Sequence, residues 1–500
     1  MVLEIAGTRL IHPFFGVTLY VWASLIAVTL GSLALGYGLG GWLADRHPRV
    51  TVHFWILLAG GLSSLWIPVA AAPVMRALAG WELRLGVLTT SVILFSLPLT
   101  VMGMIPPFVI KLWLANLQET GRVSGYLYAI STVGSLAGTL ATGFWLIPSF
   151  PVTHIFWGVA GLLILLALAG LISARAVKAS IAGLIVILVV FFLIFISGRF
   201  PKAEAQETQT LYTTQSFYGQ IKVVERDNLR ALLINGSPQN YLVSGQDPYD
   251  FFQEFGYDSL IGALPMLKPD MREVLMIGLG IGRIPSYFNR LGIRTDIVEL
   301  DPLVAQVASD YFGFKTGDNQ LFYGDGRRYL RQGQDAGKRY DSVIIDAFAV
   351  YELPDHFFTE EMLQEIRGVL SETGIVAINT GGILTGPAAR VPQSIYKTLQ
   401  AVFPYVRAYE VNARDRVNNI VFFASMQPLV WESAICRVLP CEKQKEWIAQ
   451  FEAHAADADL QAGGRVLTDN DNPLSVWGVP IYETYRNRVM QYFGKDVLSQ

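Results

Sequence analysis

Charge is scarce in this chain, and acid is scarcest in its first part. Only 16% of the 500 residues are Asp, Glu, Lys or Arg, against roughly 25% in an average soluble protein. Residues 1–200 hold four acids (Glu4, Asp45, Glu82 and Glu119) beside ten Lys and Arg, whereas residues 201–500 hold 37 acids and 28 bases. So uneven a distribution excludes a wholly soluble enzyme. A 52% hydrophobic content with two cysteines also excludes disordered, collagen-like and disulfide-scaffold classes. The acidic second part offers no electrostatic footprint for nucleic acid, so no such partner is expected. Cys436 and Cys441 lie five apart with no His nearby, a spacing that fits no zinc pattern. Two free thiols and no metal are expected, since a local disulfide there would need an oxidising compartment.

Long uncharged stretches are what the first part has instead. They cover 10–44, 50–75, 85–110, 123–174 and 179–198. A spanning helix needs about 20 apolar residues, and the 52-residue stretch divides at Pro148-Ser149-Phe150-Pro151. Six transmembrane helices are expected, the third interrupted by Pro98, Pro106 and Pro107. The apolar segment beginning almost at Met1 is too long for a cleavable signal peptide. Gly36-x-x-x-Gly40 and Gly134-x-x-x-Gly138 predict close helix packing. No span contains an acid, which argues against a coupled pump and for an anchor or a lateral feed of apolar substrate. Lys111, at a span's end, is expected to snorkel to the interface. Six basic residues on one side against five on the other leave the orientation open.

Beyond Arg199 the pattern changes. Residues 201–208 read as a polar linker, and alternating segments at 217–224 and 230–234 flank Arg226-Asp227-Asn228, a hairpin signal. From Glu273 onward, strand-like runs at 274–277, 295–298, 320–323, 342–345, 375–378 and 419–423 alternate with helical ones. That alternation predicts a mostly parallel, doubly wound α/β sheet. The expected organisation is a transmembrane helical domain (1–200), the linker, a small β domain (209–265), an α/β domain (266–430) and a C-terminal helical extension (431–500).

Chemistry concentrates at the strand ends. Val274–Ile277 runs into Gly278-Leu279-Gly280-Ile281-Gly282, where glycines let a ligand approach backbone N–H groups at a helix N-terminus. The second strand ends in Glu299 and Asp301, 21 and 23 residues after Gly278. A carboxylate there can accept both hydroxyls of a ribose. The third strand ends in Gly324-Asp325-Gly326, where an acid can take an adenine amino group, and the fourth in Asp346. Glycine and three acids at four successive strand ends converge on the crevice where ligands of such sheets bind.

With these motifs in order, residues 211–425 resemble the spermidine synthase (polyamine aminopropyltransferase) family, in which a methyltransferase-like sheet follows a small β domain. The chain as a whole is similar to the membrane-fused form. Gly36–Arg46, Leu353–Thr359 and Leu467–Pro473 carry the likeness beyond the sheet. In that form a further helix usually precedes Glu4-Ile5-Ala6-Gly7-Thr8-Arg9, so the chain is expected to start inside what is elsewhere the second span. The resemblance implies aminopropyl transfer from decarboxylated S-adenosylmethionine to an amine, with methylthioadenosine released. It implies a nucleoside co-substrate and no tightly bound cofactor, a small-molecule amine and the lipid bilayer as partners, and a homo-oligomer. By the same resemblance, Gly278, Gly280 and Gly282 form the nucleoside loop, Glu299 binds the ribose, Asp325 and Gly326 bind the adenine, and Gln239 and Tyr257 line the substrate cleft. Asp346 would take a proton from the attacking amine, which reacts only in its neutral form.

The departures cluster at the cationic tails. Ile281 stands where the family has an Asp that grips the aminopropyl ammonium, Gly219 where a Gln follows Tyr218, and Ala349 where a second acid follows Asp346. Asp258 replaces a His or Gln and, with Glu352, is a candidate replacement carboxylate. His356 is a candidate base or a structural histidine, and Arg283 a candidate partner for a methionine carboxylate. Two alternatives therefore stand beside aminopropyl transfer. One is methyl or aminocarboxypropyl transfer from intact S-adenosylmethionine, and the other a non-catalytic nucleoside- or polyamine-binding domain regulating the membrane part. Both nucleosides are made in the cytosol, which puts the C-terminal domain of a multi-pass protein of the cell membrane on that side. The Gly-rich stretch ending in Asp45-Arg46 points to the other.

Overall fold

The computed structural model describes residues 1–15, 19–78, 80–114, 120–174, 208–347, 354–411, 417–433, 435–436 and 438–493. The chain folds as two compact units, one of residues 1–206, 215–219 and 494–500, the other of residues 207–214 and 220–493.

In the first unit five helices are long and apolar enough to cross a membrane: Leu19–Arg46, Val50–Leu78, Leu83–Trp113, Thr120–Leu146 and Val152–Ser173. The expected sixth span at 179–198 and residues 201–207 of the linker lie outside the described residues. The first stretch differs from expectation. Residues 10–15 belong to a separate helix, Val2–Phe15, and Gly16 follows in sequence where helix stops are favoured. The third span breaks at Met104, because Pro106 and Pro107 occupy the first turn of a new helix, Ile105–Trp113. That is where proline's missing N–H is tolerated. Phe150 is extended between helix Ile147–Ser149 and the helix starting at Val152, as the Pro148–Pro151 turn requires.

A Cβ on Gly36 would strike the backbone of Thr100 and Gly103, and one on Gly40 that of Met104, so this pair does bring two helices into contact. Gly134 instead faces open space. Lys111, at a span's end, pairs with Asp45, 2.8 Å from Oδ1, and both side chains are exposed.

The second unit holds two sheets. Strands β1 (Gln209–Gln215), β2 (Gln220–Arg226), β3 (Leu229–Ile234) and β4 (Ser237–Val243) form a four-stranded sheet in sequence order. The strand expected from residue 217 begins at Gln220, because the N–H groups of Tyr218 and Gly219 both donate to Ser216 Oγ at 3.0 Å and close a turn. The hairpin turn falls where its chemistry predicts, with Asp227 at φ +53°.

The larger sheet has β5 (Glu273–Ile277), β6 (Arg294–Glu299), β7 (Gln320–Tyr323), β8 (Tyr340–Ile345), β9 (Leu370–Gly382), β10 (Tyr405–Glu410) and β11 (Asn418–Ser425) in the order β10-β11-β9-β8-β5-β6-β7. Strands β5 to β9 pair in parallel, while β11 pairs antiparallel with both β9 and β10. This is a methyltransferase-like α/β fold with a mixed sheet. Val274, Met276, Ile344, Ala377 and Phe423 pack in one apolar cluster with Phe288, Trp447 and Phe451. Residues of the expected C-terminal extension thus complete the core under the sheet. Cys436 and Cys441, expected as free thiols, are joined in a disulfide at the start of helix Cys441–Ala453. The turn between them holds their Cα atoms 4.9 Å apart, within the reach of the bond.

Candidate active site

At the C-terminal ends of β5 to β9 the second unit forms an open-mouthed cavity of about 830 Å³, a volume typical of small-molecule sites. Parallel strands bring this about. Gly278, Glu299, Asp325 and Asp346 each lie at or just beyond the end of a neighbouring strand, and all line the cavity.

The glycine loop divides its labour. Gly278, at φ +95°, lies so close to the end of β8 that a Cβ would strike the backbone oxygen of Asp346. Only glycine lets these two strand ends meet. Gly280, at φ +56°, has open space before it and lines the cavity. Gly282 is among the residues that do not line it. It begins helix Arg283–Arg290 in the left-handed region, and a Cβ there would strike Phe314, so this position packs closely against that ring.

Glu299 is buried, and burial pushes its carboxyl up to about 7 against the pull of the Asp301, Leu279 and Leu300 backbone donors. The Asp301 N–H donates to Oε1 and the Leu279 N–H to Oε2, each at 2.9 Å. Asp301 itself caps helix Pro302–Phe312 through the Leu303 N–H. Asp325 caps helix Gly326–Asp335 by accepting the Arg328 N–H on Oδ1 at 2.8 Å. Its second oxygen lies 3.9 Å from His356 Nε2. His356, expected near the crevice as a base or a structural histidine, lines the cavity and is 46% exposed.

Asp346 is half-buried at the cavity wall, and desolvation there pushes its carboxyl up to about 6. Asn379 Nδ2 donates to its Oδ1 at 2.8 Å, which favours the charged form, while Asp258 nearby opposes it. Among the described residues no cation pairs with Asp346. Tyr257, also lining the cavity, receives a 2.8 Å hydrogen bond from Asn240 Nδ2. Burial, then the charges of Asp346 and Asp258, hold its phenol proton far more tightly than usual. Gln239 lines the same wall, its amide donating to the Ser237 carbonyl at 3.3 Å.

Three positions that depart from the family pattern or lie beside such a departure have defined partners. Ile281 does not face the cavity but packs with Ile221, Val223 and Leu232 of the small sheet. Asp258 is not among the lining residues, because Arg283 Nη1 holds its Oδ2 at 2.8 Å. Arg283, in turn, is no free partner for a carboxylate, since its Nε also donates to the Pro248 carbonyl at 2.7 Å. Ala349 and Glu352 lie outside the described residues. Sequence reasoning missed Asn379, Asn419, Tyr485 and Tyr492, all of which line the cavity. A strand-end amide at 379, beyond the fifth apolar run, was the one signal available.

The strand-end acids, the glycine loop and the cavity are the features of a methyltransferase-like α/β enzyme. Comparison with known proteins narrows that class. Residues 254–433 match the spermine/spermidine synthase domain. The chain is 32% identical over 306 residues to a polyamine aminopropyltransferase of Vibrio vulnificus (strain CMCP6), covering 58% of this chain and 98% of that protein. It is 29% identical over 159 residues to an N-terminal histidine N-methyltransferase of Emericella nidulans, covering 31% of this chain and 28% of that protein. Among solved structures it is similar to a probable spermidine synthase from Corynebacterium glutamicum ATCC 13032, with 20% identity, TM-score 0.38, and coverage of 52% and 95%. The chain belongs to the spermidine synthase (polyamine aminopropyltransferase) family, whose members are transferases.

Proposed function

We propose that this protein is a membrane-anchored transferase that moves an aminopropyl group from decarboxylated S-adenosylmethionine to an amine. The observation that carries the reading is Asp346, a half-buried carboxylate at the cavity wall whose charged form is penalised by desolvation and which has no cation beside it among the described residues. A desolvated unpaired carboxylate is costly, and the natural complement is a cationic substrate. In the reaction the neutral acceptor nitrogen forms a bond to the propyl carbon as the carbon–sulfur bond breaks. The bonding pair leaves with sulfur, which becomes the neutral thioether of methylthioadenosine. Asp346 takes the proton that the nitrogen must lose, while Glu299 holds the ribose and Asp325 with the Gly326 N–H holds the adenine. The Arg283–Asp258 pair argues against intact S-adenosylmethionine, because the one cation of the glycine loop is already engaged.

Five long apolar helices support anchoring in a bilayer. Turnover should therefore sediment with carbonate-washed membranes. Asp346→Asn should lower it at least a thousandfold while leaving methylthioadenosine binding intact. Soluble activity would remove the anchor, and unchanged turnover in the variant would remove Asp346 from the mechanism. Donor supply favours the cytosolic face for residues 201–500, and the Cys436–Cys441 disulfide is the observation set against it. Maleimide labelling of those cysteines from the inner face without prior reduction supports the cytosol, and labelling from outside only after reduction contradicts it.

A further inference from the structure

Strand register, not sequence proximity, decides what surrounds Asp346. Strand β9 runs parallel to β8 with Ile378 beside Ile345, so the residues one step further, Asn379 and Asp346, are neighbours. Strand β11 lies antiparallel on the other side of β9, with Val421 opposite Asn379 and Asn419 opposite Gly381. Asn419 and Asn379 are therefore diagonal neighbours at the cavity edge. The Asn419 Nδ2 group donates to Asn379 Oδ1 at 2.9 Å, and Asn379 Nδ2 donates to Asp346 Oδ1 at 2.8 Å.

We infer that Asn379 and Asn419 are positioning residues for Asp346, an amide relay that fixes which carboxylate oxygen receives the acceptor's proton. The inference rests on the reading of Asp346 as the base. The direction of the relay follows from donor and acceptor chemistry. A carboxylate only accepts, so the Asn379 NH₂ must face it, and the Asn379 carbonyl must face away. Asn419 satisfies that carbonyl and so opposes rotation of the amide. Asn379 is 5% exposed, and a buried amide without this partner would leave a polar atom unsatisfied. With Oδ1 engaged, Oδ2 is the oxygen to which no described residue hydrogen-bonds, and it is left for the substrate nitrogen. The Asn379 donor also favours the ionised carboxylate, against burial and the Asp258 charge. The relay thus keeps the base available near neutral pH.

The test uses detergent-purified full-length protein and two readouts. One is the pH profile of kcat/KM with decarboxylated S-adenosylmethionine and a panel of amines. The other is carbodiimide modification of Asp346, which needs the protonated carboxyl, followed by mass spectrometry. In Asn379→Leu the acidic limb of the rate profile and the modification curve should both move upward by about one to two pH units. The high-pH rate should fall no more than a few-fold. Asn419→Leu, which keeps the direct donor, should move both in the same direction by less. A uniform loss of rate with neither curve displaced would overturn the relay. If the wild type forms no product with any amine, aminopropyl transfer fails on its own. The modification curves still decide the relay, and an unmoved curve in Asn379→Leu would sink it independently.

Discussion

At Glu299, burial and backbone hydrogen bonding oppose each other. Burial pushes the carboxyl up to about 7, while the Leu279 and Asp301 N–H groups favour the charged form. Ribose hydroxyls would add donors that only the ionised carboxylate accepts well. Nucleoside affinity should therefore rise with pH through about 7, with methylthioadenosine binding about tenfold tighter at pH 8 than at pH 6. Glu299→Gln should flatten that dependence in calorimetric titrations, and a flat profile in the wild type would contradict the role. The acids themselves were legible in the sequence because a carboxylate after each apolar run is a local signal. What those acids touch was not. Asp258 and Arg283 lie 25 residues apart in sequence, and no spacing rule links them, so their ion pair emerges only when the glycine loop folds. Ile281 was identified as the missing carboxylate, but its burial in a cluster with the small sheet was invisible.

The glycine loop is the element whose sequence reading needed most revision. Three glycines at alternate positions look equivalent, yet each sits in a different environment. Gly280→Ala should cost about 1 kcal/mol of left-handed strain and, by intruding into the cavity, weaken nucleoside binding about tenfold. Gly282→Ala adds a collision with Phe314 and should lower stability by about 2–4 kcal/mol. Any binding that remains in the folded fraction should be near normal. Thermal melts and nucleoside titrations on both variants check the division, and equal effects of the two would contradict it. Strands β5 to β9 and β11 were legible as apolar runs, because strands covered on both faces need them. Strand β10, with Arg407 interrupting its pattern at the sheet edge, was not. The break at Met104 was foreshadowed by its prolines, whereas no charge marked the separation of helix Val2–Phe15 from the first span.

On the scale of the whole molecule, the charge asymmetry of the sequence corresponds to two units of different character. One is built of long apolar helices, the other around a mixed sheet with the cavity at its strand ends. The family likeness was legible because its motifs keep their order along the chain. The contacts around the cavity were not, because residues such as Asp258 and Arg283 pair with partners distant in sequence. Aminopropyl transfer at Asp346 is the claim on which the rest depends, and the nucleoside product reports on it most directly. Full-length protein in detergent would be given decarboxylated or intact S-adenosylmethionine with an amine mixture, and the nucleoside identified by mass spectrometry. The account predicts methylthioadenosine from the decarboxylated donor alone. S-adenosylhomocysteine, or methylthioadenosine from the intact donor, would contradict it.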